Sequence, residues 1–460
     1  MVGGEDSEVM MYPIGKDSLI SSVTELSEEE KLNKRIMWSR KMNDIKYVVA
    51  PMVDQSELAF RMMMRKHGAH LCYSPMIHAH LFVHDMTYRK SVLLSCKGDR
   101  PLIVQFCAND PDVLLKACCL VEGTCDGVDL NLGCPQLIAK HGHYGAYLQD
   151  DQELVCSMVA AVNNRCHLPL SCKIRIFDDA DSTVEYARKL VNAGACMLTV
   201  HGRTREQRGP HTGVANWEII KRVCAAVDVP VIANGNIQIW ENIDDCIKKT
   251  GAVAVMSAEG VLSNPYLYEN KRLPNWIVAQ EYLSYAEKYK ANISAIRAHL
   301  FRICHYSLLI YPELRQQLSY VCSMSEFSDV VCAIDPQFSD AGKIDYIMSL
   351  PHWICKPYLR PQRDDSVAST SEYRERRRQE LDLIVRETGL SKRQIRKREK
   401  RKTQSRKQTY PKCHRCSMPA SQGCDFSYCR NCCRYKTAHE RLDCKGFVVS
   451  IICTVTSEDS

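Results

Sequence analysis

Three runs of the sequence end in polar residues spaced two apart: Asp129 and Asn131, Lys173 and Arg175, and Thr199, His201 and Arg203. In a strand alternate residues share a face, so each set points to one side. A single lysine or histidine near a strand end is commonly a side chain reaching for solvent. Three strands doing so together describe a mouth where inward polar groups converge on a ligand. Two later turns fit beside them, Asn234-Gly235-Asn236 and Ala258-Glu259-Gly260, placed where backbone N–H groups can bind a phosphate. The sequence has neither G-x-G-x-x-G nor G-x-x-x-x-G-K-S/T, so neither a Rossmann dinucleotide site nor a P-loop is indicated.

A second constellation lies far along the chain. Cys413-x-x-Cys416, Cys424, Cys429-x-x-Cys432-Cys433 and Cys444 fall within 32 residues. Two C-x-x-C pairs offer thiolates at chelating separation, and a module this small needs a metal to fold, so zinc is the expected ligand and disulfides the alternative. Seven cysteines exceed one tetrahedral site, which leaves two sites, or one site plus spares. Of the chain's 25 cysteines, 17 are scattered through the first 412 positions, as small buried hydrophobes would be, and eight fall in the last 48.

The elements that must position the mouth are short apolar runs: Tyr47–Val53, Leu71–Met76, Leu102–Cys107, Gly127–Gly133, Leu170–Ile176, Met197–Arg203, Pro230–Asn236 and Ala252–Ala258. Between most of them lie helical patterns, among them Ser56–Lys66, Asp110–Val121, Asp151–Asn164, Thr183–Ala193, Trp217–Ala226 and Glu241–Thr250. Eight strands alternating with helices predict an α/β fold, a (β/α)8 TIM barrel, with a doubly wound sheet as the other arrangement. All the polar sets stand toward the C-terminal ends of their strands, which in a barrel is the active-site mouth.

Around the barrel, the expected organisation is an acidic, mostly disordered arm over 1–46 with a helical stretch near Leu32–Met42, the barrel over 47–270 and a helical domain over 271–361. A linker and basic arm follow over 362–409, then a Cys-rich module over 410–447 and a tail over 448–460. Pro274–Tyr289 and Ser294–Leu309 read as amphipathic helices, with weaker ones near Glu313–Met324 and Ser325–Val331, and His299 and His305 as ordinary helix residues. The net charge of +7 belongs to one segment, since Glu372–Lys407 holds 15 Lys/Arg against 6 Asp/Glu. A run of that kind serves nuclear import, nucleic-acid binding, or both. Nothing approaches the ~18 apolar residues of a membrane span, and the start lacks the basic and apolar segments of a signal peptide, so a cytoplasmic or nuclear location, away from membranes, is expected.

At this point the motifs carry a resemblance. Ala50-Pro51-Met52-Val53, Val104-Gln105-Phe106, the run from Asp129 to Pro135, Gly142-His143-Tyr144-Gly145-Ala146, Cys172-Lys173-Ile174-Arg175, Thr199-Val200-His201-Gly202-Arg203 and Ala233-Asn234-Gly235-Asn236 occur in order, and together resemble the tRNA-dihydrouridine synthases. The stretches Gln105–Pro111 and Val53–Ala59 further resemble the eukaryotic subgroup acting on positions 16 and 17 of the tRNA D-loop. The resemblance implies an FMN-containing barrel that reduces the 5,6 double bond of a uridine, with NADPH or NADH reloading the flavin. It places Pro51, Met52, Val53, Gln105, Lys173, His201, Asn234, Gly235, Asn236, Ala258 and Glu259 at the FMN, and makes Cys134 the acid that protonates carbon 5 after hydride reaches carbon 6. Glu259 stands where many members of the family carry an arginine. A thiol with a reference pKa near ~8.5 holds its proton at neutral pH yet can release it, so it suits that role. Lys173 would face the flavin edge that gains negative charge, Asn131 the uracil, and Arg175 would anchor substrate or cofactor. The helical domain and basic arm would hold tRNA. Two other classes remain beside this reading: a small-molecule flavin oxidoreductase of the dihydroorotate-dehydrogenase type, which would need no basic arm, and a non-catalytic RNA-binding scaffold, which would not need Cys134, Lys173 and His201 at strand ends. The oligomeric state is not legible.

Overall fold

A computed structural model describes residues 9–11, 24–335, 346–347 and 350–358, together with a scattered set between 379 and 436. The chain divides into two units, Met1–Pro361 and Gln362–Ser460. In the first, eight parallel strands close on themselves: β1 (Tyr47–Val49), β2 (Leu71–Tyr73), β3 (Leu102–Cys107), β4 (Gly127–Leu132), β5 (Leu170–Arg175), β6 (Met197–His201), β7 (Val231–Asn234) and β8 (Ala254–Ser257). Each pairs with its neighbours in sequence, and Met256 of β8 pairs with Val48 of β1 to close the ring. The fold is the expected (β/α)8 barrel.

Strands of a parallel barrel are covered on both faces, so they read as continuous apolar runs, and every residue of β3 and β4 is buried. The alternation still sorts side chains. Val48, Leu71, Tyr73, Ile103, Met197, Ile232, Ala254 and Met256 fill the interior, while Val49, Cys72, Val104 and Val255 pack outward under the helices. The outer ring is α2 (Leu58–Lys66), α3 (Pro111–Leu120), α4 (Gln152–Arg165), α5 (Ala180–Asn192), α6 (Trp217–Ala226) and α7 (Glu241–Thr250). Asp110, Asp151, Asp179 and Asn216 end the loops into α3, α4, α5 and α6, each side chain accepting backbone N–H groups of the helix it starts.

Three expectations change. Helix α1 (Glu28–Met42) starts earlier than the apolar pattern indicates, because Ser27 and Glu30 form a capping box, and its Trp38 and Met42 plug the N-terminal end of the barrel. Within the arm, Val9–Met11 pairs antiparallel with Leu94–Cys96. Between β2 and β3 lie elements the sequence reading did not assign: the strand pair residues Ile77–His78, helices Ala79–His84 and Met86–Val92, and Leu94–Cys96.

After the barrel come α8 (Asn275–Lys288), α9 (Ile293–Ile303), the short turn Ser307–Ile310, α10 (Pro312–Tyr320) and α11 (Met324–Cys332). The single helix expected over Ser294–Leu309 is thus broken at Cys304. A polar seam joins these helices to α2. Glu57 accepts a hydrogen bond from Tyr282 at 2.8 Å and pairs with Nε2 of buried His299 at 2.9 Å. Most of the basic arm, Cys444 and the tail lie outside the described residues. No helix among the described residues is long and apolar enough to cross a membrane.

Candidate active site

The C-terminal ends of β3 to β7 assemble the mouth. Deepest is a fully buried chain of polar side chains. Gln105 donates to Asp129 at 2.7 Å, Ser171 donates to the other oxygen of Asp129 at 2.6 Å, and Asn131 donates to Gln105 Oε1 at 2.8 Å. Burial pushes the Asp129 carboxyl up to about 7, and its two hydrogen bonds offset only part of that.

Cys134 sits on the turn leaving β4, and that turn is held from both sides. Asn131 Oδ1 accepts the backbone N–H groups of Gly133 at 3.1 Å and Cys134 at 3.0 Å. The Cys134 carbonyl accepts Ala146 N–H at 3.0 Å, and the loop can come this close because Gly145 lies at φ +68°, where a Cβ would stand 2.7 Å from that carbonyl. The thiol is half-buried and reduced. Cys107 lies near it, buried and pushed by desolvation up to about 12, so of these two thiols Cys134 is the accessible one.

Lys173, on β5 and in register with Asn131 of β4, donates to Asn234 Oδ1 at 2.9 Å, and the Asn234 amide is oriented by the Met256 carbonyl at 2.8 Å. Desolvation, with Arg175 close by, lowers Lys173 to about 8. Arg175 itself is brought down to about 10 by burial and by Arg203. Burial first, then Lys173, Arg175 and Arg203, holds His201 well below the usual imidazole range, so it is neutral and its Nε2 accepts from Arg203 at 3.1 Å.

Beside these groups opens a cavity of about 260 Å³ whose walls include His201, Asn234, Gly235, Asn236, Ala258 and Glu259. Two glycines shape it. A Cβ on Gly235, at φ +109°, would stand 2.9 Å from the His201 ring, and one on Gly260 would stand 2.4 Å from the Ile237 carbonyl.

The structure thus brings Gln105, Asn131, Cys134, Lys173, Arg175, His201 and Asn234 to one mouth. Pro51, Met52 and Val53 form the turn after β1, where Ser56 Oγ bonds both the N–H and the carbonyl of Met52 at 3.0 Å; none of the three lines the cavity. Two expected substrate residues are occupied within the protein. Asn131 spends its carbonyl and one amide N–H on the Cys134 turn and Gln105, and Arg175 bonds the carbonyls of Gly133, Thr204 and Gln207 at 2.8, 2.6 and 3.2 Å. They hold the loops that shape the mouth. Sequence reasoning missed Gln207, Arg208 and Thr212 of the cavity wall, which sit in an irregular loop with no periodic signal.

In the second unit, Sγ atoms of Cys413, Cys416, Cys429 and Cys432 all lie within 4.8 Å of one another, with Cys416 3.6 Å from both Cys429 and Cys432. That set is the two C-x-x-C pairs. Cys424 and Cys433 instead pack with Phe426 and Tyr428 in a small apolar cluster, and Cys444 lies outside the described residues.

A parallel barrel whose mouth joins a held thiol, a desolvated lysine and a glycine-shaped cavity is the framework of a cofactor-using enzyme. The family model described as dihydrouridine synthase (Dus) matches residues 48–328, and the chain belongs to that family. It is 45% identical over 430 residues, 90% of each chain, to a Mus musculus protein named tRNA-dihydrouridine(16/17) synthase (NAD(P)(+))-like. It is 40% identical over 352 residues to a Saccharomyces cerevisiae tRNA-dihydrouridine(16/17) synthase, covering 68% of this chain and 83% of that one. A Mus musculus tRNA-dihydrouridine(20a/20b) synthase-like protein is 43% identical over 224 residues, 48% of this chain and 68% of that one.

Proposed function

We propose that this chain reduces uridines at positions 16 and 17 of the tRNA D-loop to 5,6-dihydrouridine, with FMN as bound cofactor and NADPH or NADH as reductant. The observation that carries the reading is the Cys134 turn, fixed by Asn131 and Gly145 beside the Lys173–Asn234 pair in one mouth.

The residues present fit a flavin mononucleotide. Lys173, Arg175 and Arg203 leave the recess short of negative charge, and Gly235 and Gly260 let the cavity wall pack where a side chain would collide with Ala215, His201 and the Ile237 carbonyl. Lys173, His201, Asn234, Gly235 and Asn236 would hold the group, with Gln105 setting the floor of the mouth and Glu259 and Ala258 its wall. Reduced flavin, when bound, supplies hydride to carbon 6 of the uracil. Cys134 Sγ–H then gives its proton to carbon 5, and the backbone bonds around it keep the sulfur in place for that transfer. Neutral His201 and the buried Asp129 carboxyl leave Cys134 and the Lys173 ammonium as the acids of the mouth, and Lys173 already donates to Asn234. The four clustered sulfurs suit one tetrahedral Zn2+, since Zn–S bonds of ~2.3 Å put neighbouring sulfurs about 3.8 Å apart. The helices after the barrel and the run Lys392–Lys407 would add contacts to the tRNA backbone, and that run also supports entry into the nucleus beside residence in the cytoplasm.

The test is Cys134→Ala. The variant should bind FMN and accept electrons from NADPH while dihydrouridine formation falls by ~10²–10⁴-fold, the usual cost of losing a general acid. Unchanged turnover overturns the assignment.

A further inference from the structure

A second set of metal-ligating side chains lies at the opposite end of the barrel. Helix α3 ends in Cys118-Cys119-Leu120 and leads into Glu122, while α4 ends against Cys166. The Sγ atoms of Cys119 and Cys166 and a carboxylate oxygen of Glu122 all lie within 4.8 Å of one another, and Cys166 Sγ is 3.3 Å from Glu122 Oε1.

We propose that Cys119, Cys166 and Glu122 bind a zinc ion, with water completing the fourth position. The spacing matches the ion. Zn–S bonds of ~2.3 Å and Zn–O bonds of ~2.0–2.2 Å set tetrahedral S···O and S···S separations of about 3.5 and 3.8 Å, so little movement is needed. The carboxylate is already aimed, because the His167 backbone N–H donates to the same Oε1 at 2.9 Å. Cys166 is buried and fixed at the helix end, whereas Cys119 is half-buried, which leaves a path for the ion to enter. Charge also closes. Two thiolates and a carboxylate around Zn2+ leave one net negative charge, and Lys34 of α1 stands beside it with its ammonium bonded to the Cys166 and Asn163 carbonyls at 2.9 and 3.0 Å. Two thiolates select a soft or borderline metal over Mg2+ or Ca2+. Bound there, the ion ties the α3–β4 loop to the end of α4 under α1, remote from the mouth, so its role is to hold the barrel's N-terminal face.

Zinc content of the full-length protein, stripped with chelator under reductant, reloaded and desalted, tests this. Cys119→Ser should retain about one zinc fewer per chain than the wild type. Cys413→Ser removes a thiolate of the other set, so combining it with Cys119→Ser should lose both ions. Glu122→Gln, which leaves both thiols and the fold in place, should release its zinc to chelator before the wild type does. Equal zinc in wild type and Cys119→Ser overturns the proposal, as does a Cys119–Cys166 disulfide in the reduced preparation.

Discussion

Two buried charge clusters sit within the barrel unit, and they are built on opposite plans. Under α2, Asp99 is fully buried and accepts Arg61 Nη2 at 2.6 Å, Arg65 Nε at 3.0 Å and Ser95 Oγ at 3.0 Å, while the remaining guanidinium donors reach backbone carbonyls of Ser56, Leu94, Arg100 and Pro101. Burial opposes both charges there, but their mutual attraction wins: Arg61 is raised and Asp99 lowered from their ordinary values. At the mouth the same burial wins. Lys173, Arg175 and His201 are all shifted toward their neutral forms, and the buried carboxyl that acts on Lys173, Asp129, is raised rather than lowered. A cluster in which Arg61 and Asp99 each gain from the other is complete. One whose cations all lose is short of an anion, and that shortage marks a binding site.

The largest effect should come from breaking the complete cluster. Asp99→Ala leaves two guanidinium groups without their carboxylate, and removing one partner of a buried pair costs about 3–5 kcal/mol. Urea unfolding would read it, and a loss below about 1 kcal/mol would mean that Arg61 and Arg65 live on backbone carbonyls alone.

Next comes Asp129, where the sign reverses. Its folded value of about 7 lies above the unfolded one, so between roughly pH 4 and 7 the native state keeps a proton that the unfolded chain has released. Stability therefore falls as pH rises through that window. Asp129→Asn has no such proton, and its amide can accept from Gln105 and donate to Ser171 in place of the acid. The variant should match the wild type near pH 4 and exceed it by about 4 kcal/mol at pH 8. Parallel stability curves would show that Asp129 is ionised in the native chain.

That difference between the clusters was half legible in the sequence. The eight strands could be read because a parallel barrel strand is apolar on both faces, and the mouth because Lys173, Arg175, His201 and Asn131 interrupt those runs at their ends. The complete cluster could not. Arg61 and Arg65 lie on a helix and Asp99 in a loop, 38 and 34 residues away, and only packing brings them together. The elements between Ile77 and Cys96 escaped because each spans seven residues or fewer, too few turns or alternations to register a period. Cys424 and Cys433 were indistinguishable by type from the four clustered cysteines, and only the C-x-x-C pairing carried information. Asn131 and Arg175 were placed correctly at the mouth, but their backbone partners depend on loop paths that no periodicity encodes.

A smaller effect should follow from supplying the missing anion. FMN titrated against the apoprotein should bind best below pH 8, where Lys173 is protonated, and weaken as pH rises through its value of about 8. Lys173→Met should lose roughly tenfold in affinity at pH 7, about 1.4 kcal/mol, and flatten that dependence. A wild-type affinity unchanged from pH 7 to 9.5 would place the flavin's charge elsewhere than beside Lys173.

The smallest effect tests whether burial, rather than charge pairing as such, separates the two clusters. Lys41 of α1 donates to Asp126 at 2.6 Å, with 40% of its own side chain and 17% of its partner's exposed. Asp126 also accepts Arg100 at 3.1 Å and the Leu102 backbone N–H at 2.8 Å, so it stays satisfied when the lysine is gone. Lys41→Met keeps an apolar chain of similar length and removes the ammonium, which also lies 5.8 Å from the Trp38 ring centroid. Partly exposed pairs contribute about 0.2–1 kcal/mol and are weakened by salt. The loss should fall in that range at low ionic strength and shrink further at 1 M salt. A cost approaching that of Asp99→Ala would show that α1 is held on the barrel by charge, and that the contrast between the buried clusters is one of pairing alone.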